Sequence, residues 1–190
     1  MNKEECWQLL RSAQVIHDEQ TCEHFLRVLA TQISNKLQES YPVVLAIMGG
    51  AVVFTGKLLP LLRFPLDFDY IHVSRYGKKL RGGTYFNWLK MPDENALKGR
   101  VVLILDDILD EGKTLLESKR KVLSLGAEAC YTAVFADKKL SKKKPIKADF
   151  VALKVPDRYI FGYGMDVEGK WRNLGAIYAC LLYTSPSPRD

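Results

Sequence analysis

Val101-Val102-Leu103-Ile104-Leu105-Asp106-Asp107-Ile108-Leu109-Asp110-Glu111-Gly112-Lys113-Thr114-Leu115 begins with five apolar residues, meets two adjacent carboxylates, and turns through Gly-Lys-Thr. A short apolar run rich in β-branched residues predicts a strand buried on both faces, here Val101–Leu105. Asp106–Thr114 then reads as a loop, and Leu115–Leu125 as a helix closed by Gly126. Carboxylates at a strand end can accept hydrogen bonds from vicinal sugar hydroxyls, or hold Mg²⁺ through water. Gly112 permits a tight turn whose N–H groups converge, and the helix start that follows favours a phosphate. One loop therefore offers an acidic sugar site beside an amide-rich phosphate site.

Other readings of the same loop fare less well. A Walker phosphate loop needs a glycine five residues before Gly112, where Asp107 stands. A dinucleotide fingerprint, Gly-x-Gly-x-x-Gly after the strand, is missing. Acids that merely cap the next helix remain an alternative, for Asp110 in particular, although one cap does not need three carboxylates.

Outward from this segment, strand and helix signals alternate. Residues 20–38 carry Cys22, Phe25, Leu26, Leu29, Ala30, Ile33 and Leu37 at helical spacing, and Tyr41-Pro42 ends the element. Val43–Ile47 predicts a buried strand, Met48-Gly49-Gly50 a turn, and Ala51–Leu62 a helix. Strands are expected at 66–74, 84–89, 130–136, 150–155 and 159–163, with a mobile polar loop at 75–83. The alternation predicts an α/β fold with a mainly parallel sheet flanked by helices, whose ligands sit at the carboxyl ends of the strands.

Bulk properties agree with a globular protein. The 190 residues suggest one domain, large enough for a full core without disulfides or a structural metal. No run of 18 apolar residues occurs, the N-terminus lacks a signal-like pattern, and the four cysteines are scattered; a cytoplasmic protein without a membrane partner is the expectation. The net charge of +6 suits phosphate substrates; nucleic acid is the weaker alternative, resting on basic stretches at 75–81 and 138–147.

Three blocks carry a family resemblance. Ile104–Leu115 resembles the phosphoribosyl pyrophosphate (PRPP) motif of type I phosphoribosyltransferases. Val155-Pro156-Asp157-Arg158-Tyr159-Ile160-Phe161-Gly162-Tyr163-Gly164-Met165-Asp166, with Trp171-Arg172-Asn173-Leu174, is similar to the purine-hood segment of bacterial hypoxanthine-guanine members. Met48-Gly49-Gly50 stands where that family has its pyrophosphate loop. The resemblance implies the type I phosphoribosyltransferase fold in one domain over residues 1–179, with a hood from about residue 150 and part of the N-terminus. It implies purine salvage: IMP and GMP formed from PRPP and hypoxanthine or guanine, with Mg²⁺, in a homodimer or homotetramer.

By the same resemblance, Asp106 and Asp107 meet the ribose hydroxyls, while Asp110, Glu111, Gly112, Lys113 and Thr114 hold the 5′-phosphate. Asp110 is the expected general base or acid at N7 of the purine, where a proton must be handled. Met48, Gly49, Gly50 and Arg172 face pyrophosphate, an arginine matching its bidentate oxygens. Lys138 donates to the purine 6-oxo group and so rejects adenine; its alternative is a solvated lysine. Tyr159 stacks on the base, or is simply core; Ile160 offers backbone groups, and Asp166 completes the purine side. Asp106, Asp107 and Asp166 are the implied magnesium carboxylates. Arg75 and Tyr76 belong to a lid over 74–83 that would exclude water from an oxocarbenium-like transition state.

Several positions depart from the family pattern. Met48 replaces a common Lys, Arg75 a common Ser, and Glu111 a common Thr, the last placing a negative charge near the phosphate. Residues 180–190 fit nothing upstream and resemble translated cloning sequence or a disordered tail. Two alternatives stay open: a regulatory protein that senses a nucleotide on this fold and binds nucleic acid, and a transferase preferring xanthine.

Overall fold

The computed structural model describes residues 1–76 and 85–181, with backbone only at 75, 76 and 85. Its centre is a six-stranded sheet. β2 (Val43–Met48) pairs in parallel with β3 (Asp67–Tyr76) on one side and β5 (Val101–Leu109) on the other. β6 (Ala129–Lys138) and β7 (Phe150–Val155) extend the sheet beyond β5 in parallel, and β4 (Tyr85–Lys90) closes the far edge antiparallel to β3. The order β4-β3-β2-β5-β6-β7 makes β2 and β5 the neighbours from which the chain winds in opposite directions. In open α/β sheets the crevice outside the strand ends at that reversal is where ligands bind.

β5 is apolar on both faces because both are covered. Leu103 and Leu105 join Leu26, Leu29, Ile33 and Leu37 of α2 (Glu19–Leu37) and Phe54 of α3 (Val52–Leu58). Val102 and Ile104 join Leu97 of α4 (Glu94–Leu97) and Leu115 and Val122 of α5 (Lys113–Ser124) on the other face. Each such side chain contributes about 1.5–3 kcal/mol when fully buried. The start of α2 is fixed by Asp18, which accepts the Thr21 N–H at 2.7 Å.

The two ends of the chain build the hood. α1 (Lys3–Ser12) opens with a reciprocal Asn2–Glu5 capping box. β1 (Gln14–His17) pairs with β9 (Ile177–Ala179), which also pairs with β8 (Ile160–Phe161), giving an antiparallel sheet of order β1-β9-β8. Trp7 meets Trp171 edge-on with ring centroids 5.1 Å apart, and Trp171 Nε1 donates to Cys6 O at 3.2 Å.

Several expected boundaries move. The helix expected over Ala51–Leu62 stops at Leu58 and tightens into a 3₁₀ turn, Leu59–Leu61, because Pro60 has no N–H to continue the α ladder. β5 runs to Leu109, so Asp106 and Asp107 are strand residues and not loop; β6 pairs with it as far as Leu109↔Asp137, whereas β2 leaves after Ala46↔Leu105. The strand expected over 159–163 shrinks to β8, because Gly162, Tyr163 and Gly164 all take positive φ. Cys180, assigned to the tail, is buried, and its N–H bonds Tyr159 O at 2.9 Å, which carries the hood one residue further. Residues 77–83 of the expected lid and 182–190 lie outside the described residues. No helix among the described residues is long and apolar enough to cross a membrane.

Burial pushes the thiols of Cys22 and Cys130 up to about 12 and raises the phenol of Tyr163 as well. A thiol must ionise to react, so in native protein at pH 8 Cys22 and Cys130 stay unmodified by a disulfide reagent while half-buried Cys6 reacts. Because these folded values lie above the ordinary thiol value, the associated stability is intact below about pH 9 and falls as pH rises towards 12. Rapid modification of Cys22 or Cys130 without denaturant, read by peptide mass spectrometry, would contradict the packing.

Candidate active site

Asp106 and Asp107 stand at the carboxyl end of β5, where β2 has already turned away. Asp106 Oδ1 accepts the Asp107 N–H at 3.0 Å, and Asp107 Oδ1 accepts the Ile108 N–H at 2.8 Å. Each acid thus steadies the backbone that follows it. Gly112 takes φ +82 as the residue before α5, whose start has no side-chain cap. The first-turn amides of such a helix have no intrahelical acceptor and carry partial positive charge, the physical basis of phosphate binding.

Asp110 therefore does not cap α5. Its carboxylate forms an ion pair with Lys138, and both are buried, at 8% and 3% exposure. The alternative of a solvated Lys138 fails on the same observation. The two residues follow Leu109 and Asp137, the last register pair of the β5–β6 ladder. A buried pair of this kind costs desolvation, and removing one partner strands the other charge at about 3–5 kcal/mol. The pair therefore sets an anionic and a cationic group side by side just beyond the β5–β6 ladder, two residues before Gly112 opens α5. Glu111 pairs with Lys113, so its negative charge meets a cation locally.

The Gly49-Gly50 turn and the hood close on this strand end. A Cβ at Gly50 would lie 2.2 Å from Asp107 Oδ2, and one at Gly164 would lie 2.1 Å from Gly50 O. Gly164 is held in turn by Arg172: its N–H bonds Arg172 O at 2.9 Å, and its carbonyl accepts from Arg172 Nη1 at 2.7 Å. Arg172 Nη2 reaches Asp166 Oδ1 at 2.9 Å, and Asp166 Oδ2 accepts the Gly169 N–H at 2.6 Å. The acidic pair, the glycine turn and the hood, distant in sequence, form one junction.

Other expected residues have different surroundings. Tyr159 is buried in the hood cluster with Leu9, Phe161, Val167 and Cys180, its hydroxyl 3.4 Å from Asp166 O. Ile160 packs into the main core. Met48 ends β2, half-buried, in register with His72 of β3. Arg75 and Tyr76 end β3, and their side chains lie outside the described set. Asp106, Asp107 and Asp166 do not gather into a cage: among the described residues no three His, Cys, Asp or Glu groups could hold a metal. Their hard oxygen donors suit Mg²⁺ in its usual mode, in which one or two carboxylates are joined by substrate phosphates and water.

The chain matches the phosphoribosyl transferase domain family over residues 12–168. The chain belongs to that family. It is 32% identical over 161 residues to the hypoxanthine-guanine phosphoribosyltransferase of Aquifex aeolicus, covering 84% of this chain and 90% of that one. It is 32% identical over 166 residues to the hypoxanthine-guanine-xanthine phosphoribosyltransferase of Tritrichomonas foetus, covering 86% and 88%. A crystal structure of a hypoxanthine-guanine phosphoribosyltransferase from Bacillus anthracis superposes with a TM-score of 0.81 at 28% identity, covering 88% of this chain and 98% of that one. The transferase thus has the mixed α/β fold of its type I relatives, with the mainly parallel sheet expected from the sequence.

Gly164 did not stand out in the sequence beyond its place in Gly162-x-Gly164, yet it has no room for a side chain and a φ of +101. Gly164→Ala in the transferase is expected to lower unfolding stability by about 1–3 kcal/mol through overpacking. Gly169→Ala, at a positive φ but with open space around it, is the milder control. Denaturant midpoints compare the two, and equal losses would mean that backbone strain, not the junction, governs both.

Proposed function

We propose that this transferase makes IMP and GMP from PRPP and hypoxanthine or guanine, releasing pyrophosphate, as its named relatives suggest. The buried Asp110–Lys138 pair beside the uncapped start of α5 carries the reading. In the reaction the bond from C1 of the ribose to pyrophosphate breaks, a bond from C1 to the purine nitrogen forms, and the purine loses a proton.

Asp106 and Asp107 take the ribose hydroxyls, and Glu111 to Thr114 present backbone N–H groups, with the Thr114 hydroxyl, to the 5′-phosphate. Asp110 receives or relays the purine proton at N7, and Lys138 donates to the 6-oxo oxygen. A buried ammonium facing adenine would meet an amino group and find no acceptor on the base, which is a strong basis for rejection. Tyr159 stacks on the base, and Ile160 offers backbone groups to its edge. Arg172 and the Met48–Gly50 turn hold pyrophosphate, and the lid over 74–83, with Arg75 and Tyr76, keeps water from the cationic transition state. Asp106 and Asp107 on one side, and Asp166 on the other, would each meet Mg²⁺ together with substrate oxygens, and that charge would neutralise the leaving pyrophosphate.

The protein works in the cytoplasm as a homodimer or homotetramer, residues 1–179 with the hood's Cys180 forming the single domain. Phe68, Tyr70 and Leu89, exposed on β3 and β4, support self-association. A xanthine activity is the second reading, favoured by the likeness to the Tritrichomonas foetus protein.

A spectrophotometric assay with PRPP, Mg²⁺ and each of hypoxanthine, guanine, xanthine and adenine tests the proposal. Hypoxanthine and guanine are expected to turn over, adenine not, and Asp110→Asn to reduce kcat by about 10²–10⁴-fold, the usual worth of a general base. No turnover of any base while PRPP still binds would replace the enzyme reading with the regulatory one.

A further inference from the structure

We infer that Lys144 is a positioning residue of the transfer site, fixing Asp110 and Lys138 from behind. The inference rests on the proposed function. Lys144 Nζ donates to Leu109 O at 2.5 Å and to Asp137 Oδ1 at 2.6 Å. Leu109 and Asp137 are register partners at the end of the β5–β6 ladder, and Asp110 and Lys138 are the next residue on each strand. Beyond its last hydrogen-bonded pair a parallel ladder is free to splay. An ammonium bridging a carbonyl on one strand and a carboxylate on the other joins the strands at the point where the paired groups depart. The Lys144 side chain is only 12% exposed, so this bridge is poorly screened by water.

A second observation comes from packing. A Cβ at Gly112 would lie 3.1 Å from Ile146 Cγ2 and 3.8 Å from Pro145 Cδ. The segment that carries Lys144 therefore backs the turn that opens α5. Its far end is tied down as well, because Asp149 Oδ2 accepts both the N–H and the hydroxyl of Thr132 on β6, at 2.8 and 2.9 Å. The basic run Lys142-Lys143-Lys144 is thus not one patch: Lys142 and Lys143 are exposed, and Lys144 turns inward.

Loss of the bridge would let the Asp110–Thr114 turn and Lys138 shift relative to each other. It would also leave Asp137 as an unbalanced negative charge near the phosphate subsite. Misplacement on the ångström scale costs rate heavily. Lys144→Met is expected to raise KM for PRPP and lower kcat/KM by about 10–100-fold, the range seen when an orienting partner is removed. Lys144→Arg restores part of the loss, and Lys142→Met and Lys143→Met behave as wild type.

Amide hydrogen exchange gives a readout that needs no turnover: in Lys144→Met the amides of 110–114 exchange faster while those of α2 do not. If Lys144→Met does not fold, Asp137→Asn, which keeps the side-chain shape, is expected to raise KM for PRPP in the same direction. Kinetics and exchange within twofold of wild type in whichever variant folds would overturn the inference. Wild-type protein that turns over no base would instead overturn the functional reading, and exchange at 110–114 would still decide the role of Lys144.

Discussion

Three segments meet where the Asp107 carboxylate fills the space over Gly50 and the Gly50 carbonyl fills the space over Gly164, so neither glycine has room for a side chain. The Gly49-Gly50 turn leaves β2, the acidic end of β5 lies beside it, and the hood reaches down through Gly164 to touch the Gly50 carbonyl. Gly50 and Gly164 are the positions at which a side chain would force these segments apart. Arg172 then fastens the hood side with a backbone and a side-chain bond to Gly164, and holds Asp166 with its other nitrogen. The subsites proposed for sugar, pyrophosphate and purine could share one crevice because this junction draws the reversal point of the sheet and the hood together.

The electrostatics follow a similar logic. The chain is basic overall, but four acids around the crevice are matched to cations: Asp110 with Lys138, Glu111 with Lys113, Asp166 with Arg172, Asp137 with Lys144. Charges held in pairs keep their positions while no ligand is present, and a polyanion can recruit the cationic members without large side-chain rearrangement. This is preorganisation of the kind that makes a polar site effective, and it costs folding free energy to bury such groups. The main core compensates through strands covered on both faces, β5 above all.

Much of this was legible in the residues. The apolar run before Asp106 predicted the central strand, and the alternation around it predicted the parallel sheet. Gly112 and the acids near it raised the expectation of a sugar-phosphate site on local grounds, which stays a proposal, and the Gly-Gly turn and the hood followed by resemblance. What local patterns could not reveal were consequences of long-range pairing. The extension of β5 through two aspartates depends on β6, since Asp is a poor strand former by itself. The inward turn of Lys144 depends on the meeting of Leu109 and Asp137, which nothing in a lysine-rich run discloses. The brevity of β8 depends on three consecutive residues with positive φ, one of them a tyrosine. Strand β1 and helix α1 gain their meaning from partners at the far end of the chain, such as Ala179 for Gln14 and Trp171 for Trp7.

The hood sheet imposes an order on the birth of the molecule. Its middle strand, β9, comes last in the chain, and the two strands it joins have no pairing with each other. On a ribosome, where the amino end emerges first, the residues of β1 must wait for residues 177–179 to leave the exit tunnel before they have a strand to pair with. The five parallel strands of the main sheet are complete by residue 155 and need no such delay. During synthesis the half of the crevice assigned to the sugar phosphate can therefore take shape before the half assigned to the base, and a nascent chain halted short of β9 would display the first without the second.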